Sequence, residues 1–238
     1  MVLYGGKGRI GLILPHEDYT TEYEFNKVAP PDVAFYATRI KLKSVTREGL
    51  LKMSEEVETA VERLPPKINL IVYHCTSGTF VMGPRWESDL LNRIRKKTGL
   101  LVISTMESVV KALNSLKLNK ICLVTPYTKD LNEKEIDYMA KFNVTVIKDV
   151  ALSMTKTEDM CALEQEEIYK WAKEVDSSEA DCVFISCTGL KTMGLIDRLE
   201  RELNKPIVSS NSATLWHSLR LCGVQTTNVS GYGRLFRL

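Results

Sequence analysis

The chain has 238 residues and a formal net charge of +2, with 32 basic and 30 acidic side chains in near balance. This balance gives no electrostatic reason to expect nucleic acid or a membrane surface as a partner. No apolar run approaches the ~20 residues that a membrane-spanning helix needs, and the N-terminus lacks the apolar core of a signal peptide. We therefore expect a cytoplasmic protein that is large enough to bury a substantial core.

The first half of the chain is predicted to alternate strands with helices. Short apolar runs rich in β-branched residues predict buried strands, and apolar residues at helical spacing predict helices. The polar segment Pro15–Asn26 is predicted to be a binding loop that opens a short helix. The predicted strands are Gly8–Leu14, Val33–Thr38, an apolar run from Asn69 and Leu100–Thr105, and the predicted helices are Arg47–Leu64, Pro84–Lys97 and residues 107–117.

The second half repeats the landmarks of the first half in the same order. Residues 9–15 (RIGLILP) match residues 120–126 (KICLVTP), and residues 101–105 (LVIST) match residues 206–210 (PIVSS). A Cys-Thr pair after an apolar run occurs once in each half. We infer an α/β fold made by internal duplication, with two Rossmann-like halves related by a pseudo-twofold axis. Each half is predicted to hold a four-stranded parallel sheet flanked by helices.

Two of the six cysteines, Cys75 and Cys187, directly follow predicted strands. Disulfides are rare in cytosolic proteins, and no Cys or His spacing matches that of a metal site, so we expect no metal. Ligands of open α/β sheets bind outside the carboxyl ends of the strands. A pseudo-twofold arrangement turns the two sheet edges toward each other. We therefore expect both thiols to flank one cleft between the lobes.

Two opposed thiols suit a reaction at a carbon next to a carboxylate. One thiolate removes a proton or adds to the carbon, and the other thiol donates a proton from the opposite face. A helix that begins just after each cysteine would lower the pKa of its thiol. The backbone N–H groups of the same turns would hold the carboxylate and the developing negative charge, together with nearby hydroxyls. These predicted substrate-binding residues are Thr76, Ser77, Thr188 and Gly189.

Five motifs identify a resemblance that extends over the whole chain: GLILP at 11–15, HCTSGT at 74–79, VTPY at 124–127, SCTGL at 186–190 and SSNSATLWHSLRL at 209–221. They resemble the aspartate/glutamate racemase superfamily, in its branch of maleate cis–trans isomerases and arylmalonate decarboxylases. The resemblance implies two Rossmann-like halves with the site between them, and no cofactor. Because this family exchanges terminal helices between its halves, it also implies lobes of residues 1–106 plus 212–238 and of residues 107–211.

The resemblance also implies roles for individual residues. In the maleate isomerases the position of Cys75 is the nucleophile that adds to the double bond, and the position of Cys187 handles the proton on the other side. In the amino-acid racemases the same pair acts as two opposed acid/bases. The arylmalonate decarboxylases have glycine at the position of Cys75 and keep only the second cysteine. Tyr127 matches a tyrosine that binds a substrate carboxylate.

Two positions depart from the isomerase pattern. Asp18 and Thr157 stand where the isomerases carry asparagines that are implied to contact substrate. An ionised Asp18 would repel a substrate carboxylate, so this residue is protonated, faces away, or meets a substrate with a positive group such as ammonium.

The presence of both cysteines favours a cofactor-independent isomerase or racemase that acts on a small carboxylic or amino acid. Three alternatives stay open: an arylmalonate decarboxylase-like lyase, an amino-acid racemase of the aspartate, glutamate or hydantoin type, and a ligand-binding module without chemistry. Assembly into a homo-oligomer is also left open.

Overall fold

The computed structural model describes residues 3–238, which form two four-stranded parallel sheets flanked by helices. The first sheet has the order β2-β1-β3-β4 and the second the order β6-β5-β7-β8, so the two halves share one topology. The predicted α/β fold of two four-stranded sheets is confirmed. The strands are β1 (Gly8–Pro15), β2 (Val33–Ile40), β3 (Leu70–Tyr73), β4 (Leu101–Ser104), β5 (Lys120–Thr125), β6 (Thr145–Ala151), β7 (Cys182–Ile185) and β8 (Ile207–Ser209).

Helices connect the parallel strands and cover both sheets, as parallel pairing requires crossover connections. Within residues 3–238 there is no helix that combines the length and the apolar character needed to cross a membrane. The helices are α1 (Thr21–Val28), α2 (Arg47–Ser54), α3 (Val57–Val61), α4 (Thr76–Met82), α5 (Pro84–Thr98), α6 (Thr105–Ser115), α7 (Lys129–Ala140), α8 (Thr157–Ala162), α9 (Gln165–Val175), α10 (Ile196–Leu203) and α11 (Ser210–Leu221).

The central strands β3 (LIVY) and β7 (CVFI) are buried at every residue. Continuous apolar runs of this kind are typical of strands covered by helices on both faces. Cys122 and Cys182 lie inside β5 and β7 and have no exposed surface. They fill the core as small apolar residues, in agreement with the sequence pattern.

The predicted single helix Arg47–Leu64 is wrong, because the structure has two helices, α2 and α3, in this segment. The interruption lies at Ser54, whose hydroxyl donates a hydrogen bond of 2.6 Å to the carbonyl of Leu51. An uninterrupted helix would offer that carbonyl to the N–H of Glu55, which instead donates to the carbonyl of Lys52 at 3.3 Å. A serine side chain that competes for a backbone carbonyl therefore ends α2 early.

Helix α11 joins the two halves of the molecule. It packs along α6 and contacts both β3 of the first sheet and β8 of the second sheet. At its start, Ser210 Oγ accepts a hydrogen bond of 3.0 Å from Thr76 Oγ1 in α4. The lobe boundaries implied by the resemblance, residues 1–106 plus 212–238 and residues 107–211, stay a prediction.

Candidate active site

The first thiol lies at the start of a helix. Strand β3 ends at Tyr73, and Cys75, two residues later, is the residue that caps α4. Its sulfur accepts a hydrogen bond from the backbone N–H of Gly78 at 3.4 Å and lies 3.9 Å from the hydroxyl of Ser77. Unpaired N–H groups and the helix dipole favour negative charge at such a position. The predicted helix N-terminus after Cys75 is confirmed.

The second thiol lies in an irregular turn. Cys187, two residues after β7 ends at Ile185, has a φ of 109°, a conformation that is strained for a residue with a Cβ. The next helical residues are a short 3₁₀ turn that begins only at Met193. The predicted helix N-terminus directly after Cys187 is therefore wrong.

Long-range hydrogen bonds explain why no helix begins after Cys187. The N–H of Cys187 donates to Ser210 Oγ at 3.0 Å, and the carbonyl of Thr188 accepts from Asn211 Nδ2 at 3.1 Å. The carbonyl of Gly189 accepts from Thr20 Oγ1 at 2.7 Å. These side chains satisfy backbone groups that a helix would otherwise pair, so the turn keeps its irregular shape.

Both thiols line one small cavity of about 20 Å³ between the carboxyl ends of the two sheets. This volume admits about one water molecule. Most of the residues predicted to bind substrate line the same cavity and supply hydroxyl groups or backbone N–H groups. They are Thr76, Ser77, Tyr127, Thr157, Thr188 and Gly189.

Asp18 is the predicted site residue that the cavity lining does not include. Its buried carboxylate accepts hydrogen bonds from the N–H groups of Thr20 and Thr21, both at 2.9 Å, and from Thr21 Oγ1 at 2.7 Å. Burial raises the pKa of Asp18, and these hydrogen bonds, with one from Thr188, oppose the rise. The carboxyl group of Asp18 is thus held at the start of α1 by these donors. Its contact with substrate stays a prediction.

One wall of the cavity is apolar, and the sequence analysis missed it. Pro15, Leu42, Val45 and Met160 form this wall. Leu42 and Val45 follow the carboxyl end of β2, so the rule that ligands bind at strand ends could have identified them. Met160 lies in α8, where no pattern in the sequence marked it.

Tyr127 connects the two halves of the site. It is buried, and its ring packs edge-to-face against Phe80 of α4 with centroids 5.5 Å apart. It lines the same cavity as Cys187, and hydrogen bonding by its hydroxyl lowers the pKa of that thiol. Tyr127 therefore places a hydroxyl donor beside the second thiol.

The model of the arylmalonate decarboxylase family matches residues 10–236 of this chain. The chain belongs to this family. The maleate isomerase of Nocardia farcinica is 29% identical over 98% of this chain and 96% of its own length. The arylmalonate decarboxylase of Bordetella bronchiseptica is 30% identical over 87% of each chain.

Solved structures agree with this assignment. A cysteine-to-serine mutant of the Nocardia farcinica maleate cis–trans isomerase, with a covalently bound succinylcysteine intermediate, matches with a TM-score of 0.92 and 27% identity over 97% of this chain and 98% of that one. A double mutant of arylmalonate decarboxylase in a liganded form matches with a TM-score of 0.86 and 27% identity over 96% and 98%. The predicted branch of the superfamily is confirmed, and the isomerase prediction agrees with these relatives.

In this member of the family, burial determines the direction in which the pKa of both thiols is shifted. Removal from water raises the pKa of Cys75 to about 11, although the Gly78 N–H and the Ser77 hydroxyl lower it. Burial raises the pKa of Cys187 further, although the Gly189 N–H and the Tyr127 hydroxyl lower it. The expectation of thiols with a low pKa is therefore wrong for the closed cavity, because loss of hydration outweighs the nearby donors.

The residue before Cys75, His74, points away from the cavity. Its Nε2 lies 3.1 Å from Asn211 Oδ1, and its Nδ1 lies 3.0 Å from Thr105 Oγ1. Burial lowers the pKa of His74 to about 3, so the ring is neutral. As expected from strand alternation, this histidine packs against helices. In the part of the chain that the structure describes, no cluster of three or more His, Cys, Asp or Glu side chains could bind a metal ion.

Proposed function

We propose that this protein is a cofactor-independent isomerase that acts at the carbon next to the carboxylate of a small acid, with Cys75 and Cys187 as the reacting pair. One observation carries the proposal: thiols from equivalent strand ends of two duplicated sheets line a single cavity. The maleate isomerases that match nearly the whole chain support the same reaction type.

The proposed reaction begins at Cys75. Its thiolate adds to one carbon of a carbon–carbon double bond, and the π electrons move to the neighbouring carbon, where the carboxylate delocalises them. The former double bond is then a single bond and rotates. Loss of the sulfur restores the double bond in the other geometry. The succinylcysteine seen in the relative from Nocardia farcinica is an intermediate of this kind in that protein.

The proton in this scheme belongs to Cys187. Its thiol donates a proton to the carbon that gains electron density, and the resulting thiolate takes the proton back as the sulfur leaves. A group that donates must hold its proton until the adduct forms. The raised pKa of Cys187 and its place in the same cavity as Cys75 support that role.

The polar half of the cavity is proposed to bind the substrate carboxylate. The hydroxyls of Thr76, Ser77 and Thr188, the N–H of Gly189 and the hydroxyl of Tyr127 supply donors on both sides of the thiols. Donors that are already oriented stabilise developing charge without having to reorganise. Thr157, at the first turn of α8, is proposed to complete this half.

The apolar wall favours a particular class of acid. Among the described residues, no lysine, arginine or histidine lines the cavity, while Leu42, Val45 and Met160 do. Since a second carboxylate against this wall would lose hydration without a partner, we propose an acid with one carboxylate and an apolar substituent. The small volume means that binding must displace part of the wall.

The same observation favours a second candidate, racemisation of a 2-substituted carboxylic acid. In that reaction one thiolate removes the proton from the carbon, and the other thiol returns a proton from the opposite face. Two thiols that meet across one cavity suit this chemistry as well as addition to a double bond. The product distinguishes the two reactions.

A screen in D₂O tests the proposal. Maleate, cis-2-alkenoic acids, 2-alkyl and 2-aryl carboxylic acids, aspartate and an arylmalonate are incubated with the protein, and isomerisation, racemisation and deuterium incorporation are followed by NMR. We expect turnover of at least one acid, with loss in both Cys75→Ser and Cys187→Ser, and no effect of the control Cys222→Ser. Decarboxylation that survives Cys75→Ala would favour the lyase instead. Absence of isomerisation, of racemisation and of exchange with every acid would contradict the proposal.

A further inference from the structure

Tyr73 has a buried hydroxyl group that has no role in the proposed reaction. The residue is the last of β3, has no exposed surface, and its ring packs edge-on against Trp86 with centroids 6.0 Å apart. Its hydroxyl oxygen finds no hydrogen-bond partner among residues 3–238. A buried hydroxyl without a partner is costly, so its retention calls for an explanation.

The position of this hydroxyl relates it to the first thiol. Because side chains alternate along a strand, Tyr73 and Cys75 point to the same side and His74 to the other. Gly78 in α4 lies between them: a Cβ added at this glycine would overlap the Tyr73 hydroxyl oxygen and lie 3.1 Å from the Cys75 sulfur. The hydroxyl and the sulfur therefore lie beside the same point above the first turn of α4, where Gly78 has no side chain to separate them.

We propose that the Tyr73 hydroxyl stabilises the thiolate of Cys75 by donating a hydrogen bond to it when the sulfur loses its proton. A neutral thiol is a weak hydrogen-bond acceptor, whereas a thiolate is a strong one. The donor therefore stays unsatisfied in the resting state and is satisfied in the reactive state. Because the hydrogen bond stabilises the thiolate of Cys75 and not the thiol, it lowers the free energy of ionisation. A contact that stabilised both forms equally would leave that free energy unchanged.

The inference extends the proposed function, because that function requires Cys75 as a thiolate. With the Gly78 N–H and the Ser77 hydroxyl, Tyr73 makes a third donor toward the sulfur. Burial raises the pKa of Tyr73 well above its ordinary value, and the adjacent Cys75 is the second cause of this rise. The phenol therefore keeps its proton and serves only as a donor.

Other ionisable groups also lie near Tyr73 and Cys75 and influence their pKa values. Asp18 from the loop after β1 raises the pKa of Cys75, and Glu87 from α5 raises that of Tyr73, in each case after burial. Tyr127 and Cys187 line the cavity opposite Cys75. The test keeps all four of these groups unchanged.

The test follows the ionisation of Cys75 through the pH dependence of its alkylation. The full-length protein and Tyr73→Phe are alkylated with iodoacetamide over a range of pH, and labelling of Cys75 and Cys187 is quantified separately by peptide mass spectrometry. We expect the Cys75 profile of Tyr73→Phe to move to higher pH, with an alkylation rate about tenfold lower at neutral pH. The Cys187 profile should not change. The matched control is Tyr138→Phe, which removes a buried hydroxyl that donates to Glu87 instead.

The result that overturns the inference is a folded Tyr73→Phe whose Cys75 profile equals that of the unsubstituted protein. Because the removed hydroxyl has no other partner, the variant is expected to unfold at the same temperature or higher. If it fails to fold, Tyr73→Leu is tested in the same assay with the same two outcomes. Labelling needs no substrate, so a shifted profile in a protein that turns over no acid supports this inference and contradicts the proposed function.

Discussion

The two cysteine-bearing loops, HCTSGT and SCTGLKT, share a Cys-Thr pair after a buried strand but have different structures. Cys75 caps a regular helix and receives its N–H groups, whereas Cys187 has a positive φ and is followed by an irregular turn. Burial raises the pKa of both thiols, and more for Cys187. The comparison teaches that a duplicated motif can supply two thiols of the same kind and still give them different tasks.

The difference matches the proposed roles. A nucleophile needs its anion stabilised, and the helix start at Cys75 supplies N–H groups for that purpose. A proton donor needs to keep its proton, and burial raises the pKa of Cys187 more than that of Cys75. The following predictions test whether the asymmetry of the loops is an asymmetry of function.

The largest expected effect is in the second loop. Cys187→Ser should fold normally, since the change is nearly isosteric, but should lower turnover by about 10²–10⁴-fold because a serine hydroxyl is a far weaker acid. Turnover of the acid identified in the D₂O screen measures this. A Cys187→Ser protein with unreduced turnover would contradict the proposed proton transfer.

Tyr127→Phe should affect the second thiol and the carboxylate site together. The change removes one hydroxyl that lowers the pKa of the Cys187 thiol and lines the cavity. Loss of one oriented donor typically lowers kcat by ~10²-fold, and steady-state kinetics test this expectation. Tyr169→Phe, at a position outside the cavity, is the control and should keep full activity. Full activity in Tyr127→Phe would remove this tyrosine from the mechanism.

The glycines of the two loops should respond differently to alanine. At Gly78 an added Cβ would overlap the Tyr73 hydroxyl, whereas at Gly189 its nearest neighbour is the Cys161 sulfur at 3.1 Å. Overpacking of a rigid core typically costs about 1–3 kcal/mol. Urea denaturation should therefore show a clear loss of stability for Gly78→Ala and a smaller loss for Gly189→Ala. The reverse order would contradict the packing described for the first loop.

The residue before each thiol also differs between the two loops. His74 is hydrogen-bonded to uncharged side chains. Ser186, in contrast, donates a hydrogen bond of 2.6 Å to the carboxyl group of Glu135. Burial raises the pKa of Glu135 to about 8. The folded protein keeps this proton up to about pH 8, whereas the unfolded chain loses it near 4.5. The stability that the protonated Glu135 contributes is fully present below pH 4.5 and is lost as the pH rises through 8.

We therefore expect the unfolding free energy of Glu135→Gln to fall less than that of the unsubstituted protein between pH 5 and pH 9. The difference should be roughly 4 kcal/mol, because the unsubstituted protein loses stability steadily from pH 5 up to the pKa of about 8, and denaturation at both pH values measures it. The control is Glu133→Gln on the same helix, whose carboxylate is largely exposed. Equal pH dependence in the unsubstituted protein and in Glu135→Gln would show that Glu135 is ionised in the folded state.

Much of the site followed from local signals. The run LIVY before Cys75 and the run CVFI before Cys187 are continuous and apolar, so each predicts a buried strand. Thr76, Ser77 and Gly189 were found because they are the next residues along the chain. By contrast, nothing in the sequence shows that the hydroxyl of Tyr73 reaches the first turn of α4.

The amino-acid sequence by itself determined the alternation of strands and helices, the duplication and the position of each cysteine at a strand end. These features depend on the spacing of apolar residues and on short turns, which are local properties of the chain. Only the tertiary structure decided the shape of the turn at Cys187, the direction of the Asp18 carboxylate and the pKa of the thiols. Each of these depends on partners distant in the chain, such as Ser210 for Cys187, and on burial, which no local pattern specifies.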